Sequence, residues 1–396
     1  MGKTILFVLL SLQSLSASSI SLEMILDSAN QNSSLRQAIS QEKLSREALH
    51  KAENASQPLE LYGTISQADP MIGKNAKEYS IGISQNVMLG DIRKQEADIN
   101  HLINQAIYSE EEKTVLDFNN GLKNLYHQHC IDKNIYQSVR RSYESFLKLY
   151  QKKQKAYTYQ EISKVELIRL EVEKEQLYAQ LKEVQRKQHI SRENLLRFSH
   201  LEHNQTMLCA DIYPINAEAL PRGNHFVYTK DAYRKRMESL QKKVQRYATS
   251  LESVELSMQY DKEMDMDRYS LGVSIPLGFT SQRSEQKRLE ALHQSSALQH
   301  RYEHTMIQKQ NDLSTLQSEL KNKVMLIESL RLTLKNYQNH LLPLIDKSYN
   351  AGESSVIDYL LTQQRYRQLQ QEYYANQKSY YHMLFQLYTH IEKKDK

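Results

Sequence analysis

The chain has 396 residues, with 10 glycines, 6 prolines, no tryptophan and a formal net charge of +5 at pH 7. So few glycines and prolines in a chain of this length are typical of long helices, and interspersed charges of both signs argue against a nucleic-acid-binding protein. The sequence has no phosphate-binding loop, zinc signature or nucleophile motif in a suitable context, so we expect neither an enzyme nor a cofactor.

Residues 1–18 have the pattern of a secretory signal peptide. Lys3 precedes the short apolar run from Ile5 to Leu10, and small residues follow, so we expect cleavage near Ala17 to Ser19. No later apolar run reaches the roughly 18 residues that a membrane-spanning helix needs. A membrane location would therefore have to depend on strands.

A repeated phrase predicts β-strands. YSIGISQN begins at Tyr79 and YSLGVSIP begins at Tyr269, and in both copies apolar residues alternate with small polar ones. This period of two is typical of strands with two different faces. An alternating segment precedes each phrase, LELYGTIS in the first copy and SVELSMQY in the second. We therefore predict two hairpins, whose strands are expected at 58–67, 78–88, 252–260 and 268–277.

Two interpretations of these hairpins are open. They could be half-buried in a soluble protein, or they could cross a membrane with their serines and glycines facing a wet lumen. The second is favoured because each strand has about ten residues, the length that a tilted strand needs to cross a bilayer. Tyrosines at the strand ends are also typical of the membrane interface.

Four strands cannot close a barrel, and open sheet edges are not tolerated in lipid because their backbone groups find no partner there. The chain is therefore expected to share a barrel with copies of itself. Two copies would supply about eight strands around a filled interior, and three would supply about twelve around a lumen. The small polar inner face favours three copies.

Long stretches with almost no proline or glycine predict long helices. Apolar residues step by three and four along them, as in coiled coils. The stripes are Tyr136, Val139, Tyr143, Phe146 and Tyr150 in the first stretch and, with a slip near Val324, Leu313, Leu316, Leu320, Ile327, Leu330, Leu334 and Leu341 in the second. Each stretch is interrupted once, by KAYTYQEIS and by KSYNAGESS, which predicts a tight turn followed by a returning helix.

The whole unit is repeated. Tyr79 and Tyr269 are 190 residues apart, and Tyr157 and Tyr349, which belong to the two turns, are 192 residues apart. Repetition at a nearly fixed period indicates a duplicated structural unit. The expected divisions are a first repeat at 19–200 with helices to about 199, a joining segment at 201–225, and a second repeat at 226–396 with helices to about 391.

The paired strands, the doubled unit and the segment YNAGESSVIDYLLTQQRYRQLQQEYY resemble TolC-type outer-membrane efflux channels over nearly the whole mature chain. The resemblance implies a mostly α-helical homotrimer in which a twelve-stranded transmembrane β-barrel, four strands from each chain, joins an α-helical tunnel of long antiparallel coiled-coil helices. It implies the outer membrane of a Gram-negative bacterium, with a large periplasmic portion. The implied partners are outer-membrane lipid, a periplasmic adaptor (membrane fusion) protein and an inner-membrane pump, without nucleic acid or enzymatic activity.

YSLGVSIPL is most similar to the branch that serves pumps of the resistance-nodulation-division class. The implied function is the exit duct of a tripartite efflux pump that exports metal ions or small toxic compounds from the periplasm. Two alternatives are kept: the outer-membrane channel of a type I protein secretion system, and a soluble periplasmic coiled-coil adaptor or structural protein.

In TolC-type channels the helix turns form a gate and contact the adaptor. Tyr349 and Asp358 match the family's tyrosine and first gate aspartate, and Glu166 matches an acidic gate partner. Leu361 stands where the family has a second aspartate, and Gln160 replaces the glycine of the first turn. The resemblance thus implies a partly retained gate. The implied adaptor contacts are Tyr159, Gln160, Glu161, Ala351, Gly352 and Glu353.

A purely structural alternative exists for the two acidic residues. Ser163 to Glu166 reads S-x-x-E and Ser355 to Asp358 reads S-x-x-D, and both are capping-box patterns. An acidic residue in the first turn of a helix stabilises it through the helix dipole by about 0.3–1 kcal/mol. Capping alone and capping combined with a gate role are both open.

Cys130 and Cys209 are not expected to pair within a chain. If both stretches are helical, their heights above the turn near Lys155 differ by about 40 Å, whereas the Cα atoms of a disulfide lie within about 7 Å. The HQHC segment that ends at Cys130 has two histidines, but His129 points away from His127 and Cys130 on a helix. No metal site is therefore expected.

Overall fold

The computed structural model describes residues 19–53, 57–68, 76–202, 206–218, 220, 225–248, 251–263, 266–276 and 282–392. The expected signal peptide, 1–18, lies outside the described residues, as does 69–75 of the first predicted hairpin loop. The chain forms two compact units. The first comprises the chain up to Gln37 with Leu116–Gly223 and Leu313–His390, and the second comprises Ala38–Val115, Asn224–Asp312 and the chain from Ile391.

The described chain is mostly helical with a small β part, which confirms the predicted fold class. Its α-helices are α1 (Leu22–Asn32), α2 (Ser34–Glu53), α3 (Ile92–Thr158), α4 (Lys164–Ser199), α5 (Val227–Arg246), α6 (Arg283–Asn336), α7 (Leu342–Ala351) and α8 (Val356–Ile391). Its strands are β1 (Ser19–Ile20), β2 (Glu60–Ala68), β3 (Ala76–Met88), β4 (Thr206–Met207), β5 (Ser253–Lys262) and β6 (Asp267–Ser274). No helix among the described residues is long and apolar enough to cross a membrane.

Four strands of the second unit form one antiparallel sheet in the order β2-β3-β5-β6. The ladder between β3 and β5 joins the hairpin of the first repeat to that of the second. Alternation along each strand gives the sheet two faces. One row of the apolar face contains Leu61, Ile83, Met258 and Leu271, and the next row, on the polar face, contains Tyr62, Gly82, Gln259 and Ser270.

On the polar face, the side chain of Tyr62 extends from β2 across β3 to β5. A Cβ at Gly82 would lie 2.5 Å from Cζ of Tyr62, so only glycine leaves room for this ring. The hydroxyl of Tyr62 then donates a hydrogen bond to Oε1 of Gln259 at 3.1 Å. The glycine in the middle of the first YSIGISQN phrase therefore allows β2 to contact β5 across β3.

The second hairpin is tighter than predicted, and its second strand ends earlier. Lys262 and Asp267 still pair in the ladder, and their side chains form an ion pair at 3.0 Å. β6 ends at Ser274 rather than near 277. Pro276 follows two residues later, and it has no N–H to donate to a sheet.

A core in the first unit brings the N-terminus of the described chain, α3 and α4 together. β1 pairs in parallel with β4, so the segment after α4 turns back beside the helices. The buried residues of this core are Ile20, Leu22, Ile25, Ala29, Leu122, Tyr126, Cys130, Leu195, Leu196 and Met207.

Cys130 and Cys209 form a disulfide within this core, with their Cα atoms 5.6 Å apart, so the prediction that they do not pair is wrong. The prediction carried the helix on to Cys209, past the helix end expected near 199. α4 instead ends at Ser199, and His200 takes a left-handed conformation with a φ of 54°. The chain then reverses, which returns Cys209 to the level of Cys130.

The two histidines of the HQHC segment are also part of the core packing. Nε2 of His127 accepts the N–H of Tyr213 at 3.0 Å, and Nδ1 lies 2.7 Å from the carbonyl oxygen of Lys123. Nδ1 of His129 lies 3.0 Å from the hydroxyl oxygen of Ser191. Burial lowers the pKa of both His127 and His129 to about 4, so both are neutral at physiological pH.

A π-helical turn, Tyr337–Leu341, separates α6 from α7. Pro343 has no N–H to donate to the carbonyl four residues earlier, and the N–H of Leu342 bonds to the carbonyl of Tyr337, five residues back. The turn also changes the phase of the predicted stripe. Leu320 and Ile327 are buried, whereas Leu341 is exposed, so the stripe ends before the position that the sequence pattern predicts.

Removing the disulfide should destabilise the protein. The bond spans 79 residues, and cross-links of this kind typically stabilise a fold by about 2–4 kcal/mol. The variant with Cys130→Ser and Cys209→Ser should therefore melt several degrees lower by circular dichroism. Reductant should lower the melting temperature of the wild type but not of the variant. Two maleimide-reactive thiols in the unfolded, unreduced wild type would contradict the disulfide.

Candidate functional site: the two helix turns

The turns between α3 and α4 and between α7 and α8 share two backbone hydrogen bonds. The N–H of Glu161 donates to the carbonyl of Ala156 at 3.0 Å, and the N–H of Glu353 donates to that of Ser348 at 2.9 Å. The N–H groups of the preceding residues, Gln160 and Gly352, both donate to the carbonyl three residues earlier. These pairs are 192 residues apart, so the turn is built twice at the offset that the sequence indicates.

Both turns place a left-handed residue at the equivalent position. Gln160 has a φ of 61° and Gly352 a φ of 79°. Glycine adopts this conformation without steric cost because it has no Cβ, whereas other residues are disfavoured there. The first turn therefore keeps the geometry of the second without its glycine.

Serines cap the two helices that leave the turns. Oγ of Ser163 accepts the N–H of Glu166, and Oγ of Ser355 accepts the N–H of Asp358, both at 3.1 Å. Each N–H belongs to the acidic residue that the sequence places in a capping box. The hydroxyl of Ser355 also donates to Oδ2 of Asp358 at 2.6 Å. Both acidic residues thus belong to helix caps.

The two carboxylates differ in what else they contact. Oε1 of Glu166 accepts the hydroxyl of Tyr349 at 2.6 Å and lies 3.9 Å from Nζ of Lys153. The same ammonium lies 4.0 Å from the centroid of the Tyr349 ring. Glu166 therefore joins the first repeat to the second, whereas Asp358 remains exposed at the start of α8.

Tyr349 lies in a compact core beneath the turns. It is 3% exposed and stacks on Tyr359 with ring centroids 4.8 Å apart. Burial, and then the hydrogen bond to Glu166, raise the pKa of Tyr349 above its usual value, so its hydroxyl remains a donor. The other buried members of this core are Phe146, Tyr150, Leu170, Leu177 and Val356.

The structure thus brings two of the three expected gate residues, Tyr349 and Glu166, into contact and leaves Asp358 apart from them. The six residues expected to contact an adaptor, Tyr159, Gln160, Glu161, Ala351, Gly352 and Glu353, are all exposed. Sequence reasoning missed Lys153 and Tyr359. Lys153 carries no local signal, while Tyr359 could have been found from its position directly after the capped aspartate. No cluster of metal-ligating side chains occurs among the described residues.

Exchanging the left-handed residues should change stability in opposite directions. Gln160→Gly should raise the free energy of unfolding by about 0.5–1 kcal/mol, because relief of the left-handed strain exceeds the added entropy of the unfolded chain. Gly352→Gln should lower it by a similar amount. Gln154→Gly, the same change at an exposed position within α3, is the matched control and should destabilise by about 1 kcal/mol. The measurement is the unfolding midpoint in denaturant, and a destabilised Gln160→Gly variant would contradict the conformational argument.

The fold of the chain is similar to that of solved outer-membrane proteins, although no sequence comparison finds a match. No protein-family model and no curated protein sequence matches the chain significantly. The outer membrane protein VceC of Vibrio cholerae superposes with a TM-score of 0.75 at 13% identity, covering 93% of this chain and 95% of that one. The outer membrane channel CmeC of Campylobacter jejuni gives 0.74 at 13% identity, covering 94% and 87%.

The open state of the outer membrane channel MtrE of Neisseria gonorrhoeae gives a TM-score of 0.74 at 15% identity, covering 93% of this chain and 88% of that one. These similarities extend over nearly the full length of each chain, and CmeC and MtrE are outer membrane channels. The chain therefore has the fold of TolC-type outer-membrane channels, as its sequence resemblance predicts.

Proposed function

We propose that the chain is the outer-membrane channel of a tripartite efflux pump in a Gram-negative bacterium. The observation that carries this proposal is the four-stranded sheet, which has an exposed apolar face and two outer edges. Leu61 and Leu271, on the outer strands β2 and β6, are 72% and 81% exposed. Among the described residues, no strand pairs with the free edge of either β2 or β6.

Lipid and further copies of the chain would satisfy both features of the sheet. The strands have 9, 13, 10 and 8 residues, close to the roughly 9–11 that a tilted strand needs to cross a bilayer. Open edges are not tolerated in lipid, so β6 of one copy pairs with β2 of the next. Three copies close a barrel of twelve strands, which is wide enough for a lumen.

The helix turns supply the periplasmic end of this channel. The six exposed turn residues, Tyr159 to Glu161 and Ala351 to Glu353, contact the periplasmic adaptor, which connects the channel to an inner-membrane pump. Asp358 faces the mouth of the tunnel, and the bond between Tyr349 of α7 and Glu166 of α4 holds the two repeats together beside it. In a trimer the three copies of Asp358 form one exposed acidic ring. Leu361, one turn later on the same face of α8, does not add a second one.

The exported material is metal ions or small toxic compounds, a proposal that depends on the YSLGVSIPL phrase and its similarity to the resistance-nodulation-division branch. Export of a protein by a type I system is the alternative. Deletion of the gene should raise intracellular accumulation of a small fluorescent efflux substrate or of a metal ion. Loss of a secreted protein with unchanged accumulation would favour the alternative.

Cysteines on the two outer strands should cross-link neighbouring copies. Each variant replaces two residues by cysteine: Thr64 of β2 and one of Arg268, Ser270 or Ser274 of β6. Three pairs are needed because the structure of a single chain does not fix the register between copies. At least one pair should give covalent dimers and trimers after oxidation in outer membranes. The single-cysteine variants are the controls and should give no trimer. A folded monomer of one chain mass in membranes would contradict the proposed barrel.

Neutralising Asp358 should weaken block of the channel by cations. A ring of like charges concentrates counter-ions, so Asp358→Asn should raise the concentration of a multivalent cation needed for half-block by about tenfold in planar bilayers. Asparagine can still accept the hydroxyl of Ser355, which preserves the cap. Glu166→Gln is the matched control and should change block little, since its carboxyl group is directed at Tyr349. Equal effects of both variants would show that Asp358 has no special place at the mouth.

A further inference from the structure

Three lysines form an exposed row on α3 just before the first turn. Lys148, Lys152 and Lys155 follow the i, i+4, i+7 spacing of one helix face, and all three are exposed. Together with Gln151, Gln154 and Thr158 they line a shallow open groove along the helix. The three residues are called the lysine stripe below.

The charge of the lysine stripe is not balanced within the described chain. From Ser145 to Gln160 the sequence has four lysines and no acidic residue. The fourth, Lys153, turns inward to Glu166 and Tyr349. Nζ of Lys152 donates to the neutral Oδ1 of Asn350 at 3.2 Å. Among the described residues, no carboxylate lies within ion-pair distance of the stripe, whereas other lysines of the same unit pair closely, as Lys378 does with Asp132 at 2.5 Å.

The second repeat shows that the stripe is not needed to build the turn. At the offset of 192 residues its positions are occupied by His340, Leu344 and Lys347. Leu344 is 63% exposed, so the second repeat presents an apolar residue where the first presents Lys152. The two turns share their two equivalent backbone hydrogen bonds, so this geometry forms both with the stripe and without it.

We propose that the lysine stripe is a docking surface for an acidic helix of a periplasmic partner protein, an inference that rests on the proposed function. The stripe extends about 10 Å along the helix axis, so its partner lies alongside α3. A matching partner carries aspartate or glutamate at the same i, i+4, i+7 spacing. A flat anionic membrane approaching the turn would first meet Tyr159 to Glu161, which favours a helix over a lipid surface.

Such a contact would let a partner distinguish the two turns of each chain. Exposed ion pairs each contribute little affinity, but complementary charge steers association and fixes which surfaces meet. Only the first repeat carries the stripe. In a trimer, an acidic helix would therefore bind beside three of the six turns.

The test uses the full-length protein in detergent and a designed antiparallel helical hairpin with glutamate at i, i+4 and i+7 on one face. A twin hairpin with glutamine at those positions is the control probe. The wild type should bind the acidic hairpin at least about tenfold more tightly than its twin at about 50 mM NaCl, and the preference should vanish at about 500 mM NaCl. Fluorescence anisotropy of the labelled hairpin measures both affinities.

The key variant combines Lys148→Gln, Lys152→Gln and Lys155→Gln, and it should lose the preference for the acidic hairpin. The matched control combines Lys321→Gln, Lys335→Gln and Lys347→Gln, which removes the same charge from exposed positions of the second repeat, and it should bind as the wild type does. Equal binding by both triple variants overturns the proposal.

Two further outcomes also overturn it. Loss of the trimer in the stripe variant would assign the lysines to contacts between copies, and stripe-dependent binding to phosphatidylglycerol vesicles without binding to the hairpin would assign them to a membrane. Trimer mass and bilayer conductance of the same wild-type sample test the proposed function separately. A protein that conducts as a trimer but shows no preference for the acidic hairpin overturns only the docking proposal.

Discussion

The ladder between β3 and β5 determines what the rest of the sheet can do, because it joins two separately encoded hairpins. It runs from the pair Tyr79 and Lys262 to the pair Met88 and Ser253, and it sets Ile83 beside Met258 on the apolar face. A slip of one residue would turn one hairpin's apolar set to the polar face. With β3 and β5 paired, β2 and β6 are the outer strands, and in the proposed barrel their free edges pair with other copies.

The duplicated turn shows how one backbone design can carry two chemistries. In both repeats a serine caps the returning helix and an acidic residue follows three positions later. Glu166 is then engaged by Tyr349 of the other repeat, while Asp358 keeps its carboxylate exposed. The shared sequence pattern therefore supplies the geometry, and contacts between the repeats decide which carboxylate stays exposed.

Patterns that depend on neighbouring residues could be predicted from the sequence, whereas contacts that depend on helix ends could not. The alternation after Tyr79 and Tyr269 indicated strands, and the capping boxes indicated where α4 and α8 begin. The disulfide was missed because the prediction carried α4 on to Cys209, past the helix end expected near 199. The left-handed conformation of His200, which ends α4, is one that sequence alone would assign to glycine or asparagine. The bond between Tyr349 and Glu166 spans 183 residues, and no local pattern encodes it.

The π-helical turn in the second repeat accommodates part of a difference in length between the two repeats. The strand phrase and the turn are two residues further apart in the second copy, between Tyr269 and Tyr349, than in the first, between Tyr79 and Tyr157. A π turn accommodates one residue more than an α turn, so Tyr337–Leu341 retains part of this extra length as a bulge. The additional residue is thereby absorbed inside a helix, and the two backbone hydrogen bonds that the turns share are retained.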